Sequence, residues 1–114
     1  MRVQLPPEGA AALQAQQLLG ENVRVVSAFQ NVAAAHLQEG SDLAESDVLV
    51  CGNDKDARAA VIGLVEACGM RGFHAGPIAN SAAAEALTSV IININRAFKC
   101  HAGIRITGLE PAGE

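Results

Sequence analysis

The chain has 114 residues, enough for one domain with a modest core and too few for two. Half of the residues are hydrophobic but only three are aromatic, all Phe, so alanine and β-branched side chains must build that core. The net charge of −4 argues against nucleic acid as the main partner, because phosphate binding needs a basic excess.

No apolar run approaches the roughly 20 residues that cross a bilayer, and the opening MRVQLPPEG lacks the apolar stretch of a signal peptide. Cys51, Cys68 and Cys100 form no CxxC, so neither a disulfide framework nor a zinc site is signalled. They read as small buried apolar residues of a cytoplasmic protein.

Pro6-Pro7 breaks structure near the start. Glu8 to Leu19 is rich in Ala, Gln and Leu and predicts a helix, with Gly20 as its C-cap. Val23 to Phe29 is β-branched and mostly apolar, which predicts a buried strand. Val32 to Leu37 reads as a short helix or turn, and Gly40-Ser41-Asp42 as a loop. Val48 to Cys51 is a second short strand, followed by a Gly52-Asn53-Asp54 turn whose Asn53 or Asp54 caps the next helix. On that helix Ala57, Ala60, Val61, Leu64, Val65 and Cys68 recur at helical spacing, and Gly69 closes it.

Arg71 to Ala75 is a third strand. Gly76-Pro77 is turn chemistry, and Asn80 or Ser81 caps the long helix that ends at Phe98. Its apolar face is expected to be Ala83, Leu87, Val90, Ile91, Ile94 and Phe98. The opposite face carries Thr88, Ser89, Asn93 and Asn95, uncharged hydrogen-bonding groups suited to a partner helix, to a ligand or simply to water. Ile104 to Thr107 adds a last short strand, and Glu110 to Glu114 is a frayed tail. Strands alternating with helices mean an α/β layer architecture, here one domain over residues 1–114.

No GxGxxG and no phosphate loop occurs. Gly52 precedes a helix N-terminus that could meet a phosphate, but Asp54 there would repel it. His36, His74 and His101 lack metal spacing. Cys100 and His101, as sequence neighbours, point apart rather than forming a nucleophile–base pair. Arg96, Lys99, Arg105 and His101 are the basic cluster of an acidic chain. They either favour the helix dipole or meet an anionic ligand tail. The residues alone therefore give a small α/β domain with an uncharged polar helix face, and no reaction.

Three segments add a resemblance. VRVVSAFQNVAAA (Val23 to Ala35), SDVLVCGNDKDAR (Ser46 to Arg58) and FHAGPIANSAAAEALTSVIININRAFKCHAGIRITGL (Phe73 to Leu109) resemble the C-terminal half of the NADPH-dependent reductases of coenzyme F-420. The match runs from about Val3 to Leu109. It implies the C-terminal part of a Rossmann-like dinucleotide-binding fold, with about three strands, flanking helices and one long C-terminal helix.

It also implies an oxidoreductase that passes a hydride between NADP and the 5-deazaflavin coenzyme F-420. The family's Gly-rich NADP-binding turn precedes the matched region. The chain is therefore expected to be a truncated member or one half of a split enzyme, associating as a homodimer or with a missing N-terminal half. The apolar edge of the Val23 to Phe29 strand would be a liability for self-association.

Five positions carry over as cofactor-binding. Gln30, Asn31 and Val32 form the loop that approaches the deazaflavin; many relatives have His where Gln30 stands. Thr88 faces the pocket from the long helix, while Ala86 replaces a serine of a relative. Leu109 closes over the ring. No acid–base residue is expected, because hydride transfer needs apposed carbons rather than a proton relay. The competing expectations are a non-catalytic fragment or interaction module of the same fold, and a related reductase of a small keto acid or imine.

Overall fold

A computed structural model describes residues 6–7, 9–32 and 46–108. Helix α1 (Ala11–Leu19) leads through a loop to strand β1 (Val26–Ser27), and β2 (Asp47–Gly52) is followed by α2 (Lys55–Ala67). Strand β3 (Arg71–His74), a single 3-10 turn (Ile78–Asn80) and the long α3 (Ser81–Phe98) complete the order. The sheet order is β1-β2-β3, with β1 antiparallel and β3 parallel to β2. The expected short helix or turn after Val32, the loop at Gly40-Ser41-Asp42, Leu109 and the tail fall outside the described residues.

Alternation along β2 divides the molecule into layers. Val48 and Val50 point to α2 and join Val65 and Met70 in a buried core, with Val61, Ile62, Phe29 and Val32 packed around it. Leu49 and Cys51 point the other way, toward α3. Helix α2 starts where expected, with Asp54 Oδ2 accepting from Ala57 N at 2.8 Å. It ends at Gly69, whose φ of 89° is the left-handed conformation a helix terminus favours in glycine. Its buried face is rotated from the expected one. Leu64 is 66% exposed and Cys68 is exposed, because Arg58 and Ile62 turn inward with Val65.

The strand expected over Val23 to Phe29 shrinks to two residues. Gln16 of α1 is the reason. Its side-chain amide donates to Val23 O at 2.6 Å and accepts from Val25 N at 3.1 Å, so these groups are taken from the sheet. Phe29, at φ 67°, then ends the strand in left-handed backbone. Helix α1 has no side-chain cap of its own at Ala10. Glu85 of α3 supplies one, accepting from Ala11 N at 2.8 Å and Ala12 N at 3.1 Å, with Ser81 Oγ donating to the same carboxylate at 3.1 Å. A carboxylate at a helix N-terminus meets both free amides and the positive end of the dipole. Glu85→Ala is expected to lower stability by about 1 kcal/mol and to raise amide exchange throughout α1 while sparing β2 and α2, read by hydrogen exchange.

The last expected strand, Ile104 to Thr107, is not a strand, yet it is fixed. Asp47 N donates to Ile104 O at 2.9 Å, and Ile106 N donates to Asp47 Oδ2 at 2.6 Å. A side-chain oxygen stands where a ladder carbonyl would be, so pairing stops after one backbone bond. Arg71 grips the same carboxylate with two bonds, of 2.9 and 2.6 Å, and donates to Ile106 O at 2.9 Å. Gly103 passes so close to Ser46 that a Cβ there would collide with its hydroxyl. Burial pushes the Asp47 carboxyl up. The Arg71 hydrogen bonds, the Ile106 amide and the charges of Arg71 and Arg105 outweigh it and hold the group below its ordinary value.

Candidate functional site

The carboxyl ends of parallel strands are where open α/β sheets gather ligands. Here the ends of β2 and β3 are tied together by Arg58. Its guanidinium donates to Gly52 O, to Gly76 O at 3.1 Å and to His74 Nδ1 at 3.2 Å. His74 is thus a structural acceptor. Asn53 Oδ1 accepts from Ile78 N at 3.0 Å and joins the first turn to the second. The expected cap of α3 at Asn80 or Ser81 does not form. Asn80 Nδ2 turns back to Ala75 O at 2.8 Å, and Ser81 serves Glu85 instead. Gly76, at φ 100°, permits this, since a Cβ would strike the Asn80 amide.

Three of the expected site residues come together beside this platform. Thr88 Oγ1 donates to the Gln30 carbonyl at 2.7 Å. Asn31 is buried and its Nδ2 donates to Ala84 O at 2.9 Å, with a longer 3.4 Å bond to Thr88 Oγ1. The loop is thereby latched to α3, 57 or 58 residues away in sequence. The latch also holds the unfavourable backbone of Phe29, in a turn closed by Val32 N donating to Phe29 O at 3.2 Å. Val32 packs on the α2 core. Gln30 Oε1 is buried and has no partner among the described residues.

Between the sheet and α3 lies a cleft of about 250 Å3. Leu49, Cys51 and Ala75 form one wall, and Asn80, Ala83, Ala84 and Leu87 the other. Ala84 belongs to both features, because its carbonyl accepts Asn31. Among the described residues no lining side chain is charged. Burial pushes the Cys51 thiol up, opposed by the neighbouring Ser27 hydroxyl and the charge of Arg58. Of the three cysteines expected to be buried, Cys51 is; Cys68 on the outer side of α2 and Cys100 after α3 are exposed, which corrects the expectation.

The rest of α3 corrects the sequence reading. Of the expected apolar face only Ile91 is buried; Val90 is 47%, Ile94 39% and Phe98 75% exposed. The inward residues are Ser81, Ala84, Thr88 and Ile91. Asn95, of the uncharged polar face expected to meet a partner helix, a ligand or water, accepts from Ala102 N at 2.6 Å and shapes the turn after the helix. Arg96, Lys99, His101 and Arg105 are exposed. Among the described residues no group of His, Cys, Asp and Glu is placed to hold a metal, and no helix is long and apolar enough to cross a membrane. The sequence reading missed Glu85 and Arg58; the one signal for Glu85 was its position four residues after Ser81.

No family model matches the chain. The chain is 41% identical over 111 residues, 96% of its length, to the F420-dependent NADP reductase of Methanocaldococcus jannaschii, and covers 49% of that protein. It is 38% identical over 105 residues, 90% of its length, to the F420-dependent NADP reductase of Methanothermobacter thermautotrophicus, covering 45% of it. A crystal structure from Arthrobacter sp. FB24, provisionally assigned as an F420-dependent NADP reductase, superposes with a TM-score of 0.74 at 25% identity over 85% of this chain and 46% of that one. The similarity expected from the three segments thus holds along nearly the whole chain, and over the part matched the fold is the Rossmann-like α/β fold of that structure. The chain spans about half the length of the curated relatives it matches.

Proposed function

We propose that this chain supplies the deazaflavin-holding half of a site that transfers a hydride between NADP(H) and coenzyme F-420. The observation that carries the reading is the 2.7 Å bond from Thr88 to the Gln30 carbonyl. It joins the loop and the helix that the resemblance marks as walls of the deazaflavin pocket. The residues suit a flat, uncharged ring. Gln30 Oε1 is buried with no partner among the described residues and can accept from a ring N–H. The adjoining cleft is apolar and charge-free. The deazaflavin, when bound, supplies the ring carbon that gives or takes the hydride. The chain's own part is placement. Thr88 and Asn31 fix the Gln30 loop and α3 backs it, which limits misalignment of a bound ring.

The phosphates of NADP do not fit the one helix N-terminus that follows a glycine turn at the carboxyl end of β2. The N-terminus of α2 is already occupied by the Asp54 carboxylate, which repels phosphate. We therefore place NADP binding on another segment, either an N-terminal half or a second chain, and the working assembly in the cytoplasm. The alternative of a keto acid substrate is disfavoured, because among the described residues no cation lines the cleft to meet its carboxylate.

The reading is tested by following deazaflavin absorbance as NADPH is added to coenzyme F-420 with this chain, alone and with the N-terminal half of the M. jannaschii reductase. Bleaching only when both are present is the expected result. No bleaching with both, although each part is folded by circular dichroism, overturns it.

A further inference from the structure

We propose that the cavity between α1 and the turn joining β2 to α2 is a binding site for a small zwitterion with an apolar side chain, of the free α-amino acid class. The cavity holds about 500 Å3, within the range of roughly 300–1,000 Å3 found for small-molecule sites. It lies at the carboxyl end of β2, the usual position for a ligand in this architecture. None of its lining residues belongs to the cleft under α3 or to the Gln30–Thr88 latch, so the proposal stands whether or not the chain binds a deazaflavin.

One wall is the loop after α1, and Gln16 builds it. The Gln16 amide donates to Gly20 O at 2.9 Å and to Val23 O, and accepts from Val25 N. Leu13 and the exposed Val23 add apolar surface. The other wall is Asn53 and Asp54. The lining carries charges of both signs. Arg24 lies 3.9 Å from Asp54 Oδ2, at the limit of an ion pair, and its side chain is 68% exposed. Such a pair contributes little in water, so the guanidinium is available to a second carboxylate. Asn53 Oδ1 accepts from Ile78 N, which leaves the Asn53 N–H groups as donors for a ligand. Asp54 Oδ2 is engaged by Ala57 N, which leaves Oδ1, with the Glu21 carboxylate, to meet an ammonium. Opposite charges this close match an ammonium and a carboxylate carried on one carbon. A lone carboxylate at Arg24 would face Asp54 and Glu21, and a lone ammonium at Asp54 would face Arg24. A zwitterion satisfies both, and its apolar side chain covers Leu13 and Val23.

The test uses L-leucine, 4-methylpentanoate, 3-methylbutylamine and glycine as probes on the whole chain, with the methyl chemical shifts of Leu13 and Val23 as the readout. Leucine is expected to shift them saturably. The acid, which lacks the ammonium, and the amine, which lacks the carboxylate, are each expected to bind about fivefold more weakly, and glycine about tenfold more weakly. Arg24→Gln, at an exposed side chain, is expected to bring leucine down to the affinity of the amine without weakening the amine. The proposal is overturned if leucine leaves these methyls unmoved, if the acid or the amine matches it, or if Arg24→Gln binds leucine as the parent does.

Discussion

Replacing Asp47 by Asn lowers the unfolding free energy by about 3 kcal/mol, the low end of the range for breaking a buried ion pair. The carboxylate is fully buried and serves three groups at once: both arms of Arg71 and the Ile106 amide. Asparagine keeps one acceptor oxygen, loses the charge and presents an amide to a guanidinium. The low end applies because Arg71 keeps some contact with solvent, its side chain being 22% exposed. It also stacks at 5.1 Å over Phe73, which remains after the substitution. Urea unfolding measures the loss; the exposed Asp56→Asn serves as control and should stay within about 0.5 kcal/mol of the parent.

The same pair sets an acid limit. The folded Asp47 carboxyl is held below its unfolded value, so its contribution is complete above about pH 4 and is lost as pH falls through the folded value. The stability gap between parent and Asp47→Asn should therefore be constant at neutral pH and narrow progressively as pH falls below about 4. A gap that does not narrow as pH falls below about 4 contradicts this account of Asp47.

Thr88→Val weakens binding of oxidised coenzyme F-420 about tenfold and costs about 1 kcal/mol of stability. Valine keeps the shape but leaves the Gln30 carbonyl without its donor and Asn31 without its second acceptor. The loop then relaxes from the left-handed Phe29 turn. Thr88→Ser restores the hydroxyl and should recover most of the affinity. Equal affinity for parent and valine variant, measured by fluorescence titration, would remove Thr88 from the site.

What the sequence made legible was local. Asp54 and Gly69 bracket α2 because a cap and a left-handed glycine act within a few residues, and both stand as expected. The strand at β2 was visible from its apolar run. The rotation of α3 was not. Its apolar periodicity pointed to Val90, Ile94 and Phe98 as core, yet partners remote in sequence turn the helix: Glu85 to α1 and Thr88 to Gln30. Periodicity marks an apolar stripe and does not say what covers it. The shortening of β1 has the same origin, since a lone Gln16 on α1 captures the backbone of Val23 and Val25. The Asp47–Arg71–Ile106 junction carries no pattern along the chain, because its parts are 24 to 59 residues apart. The latch residues Gln30, Asn31 and Thr88 were reached through resemblance; composition and spacing pointed only to Thr88's uncharged face.

The most direct measurement is an equilibrium fluorescence titration of oxidised coenzyme F-420 with the isolated chain, without NADP. Saturable binding of one deazaflavin per chain, weakened by Thr88→Val and recovered by Thr88→Ser, is the predicted result. A folded chain that leaves the fluorescence unchanged, at concentrations where the M. jannaschii reductase is saturated, would contradict the assignment of this half as the deazaflavin holder.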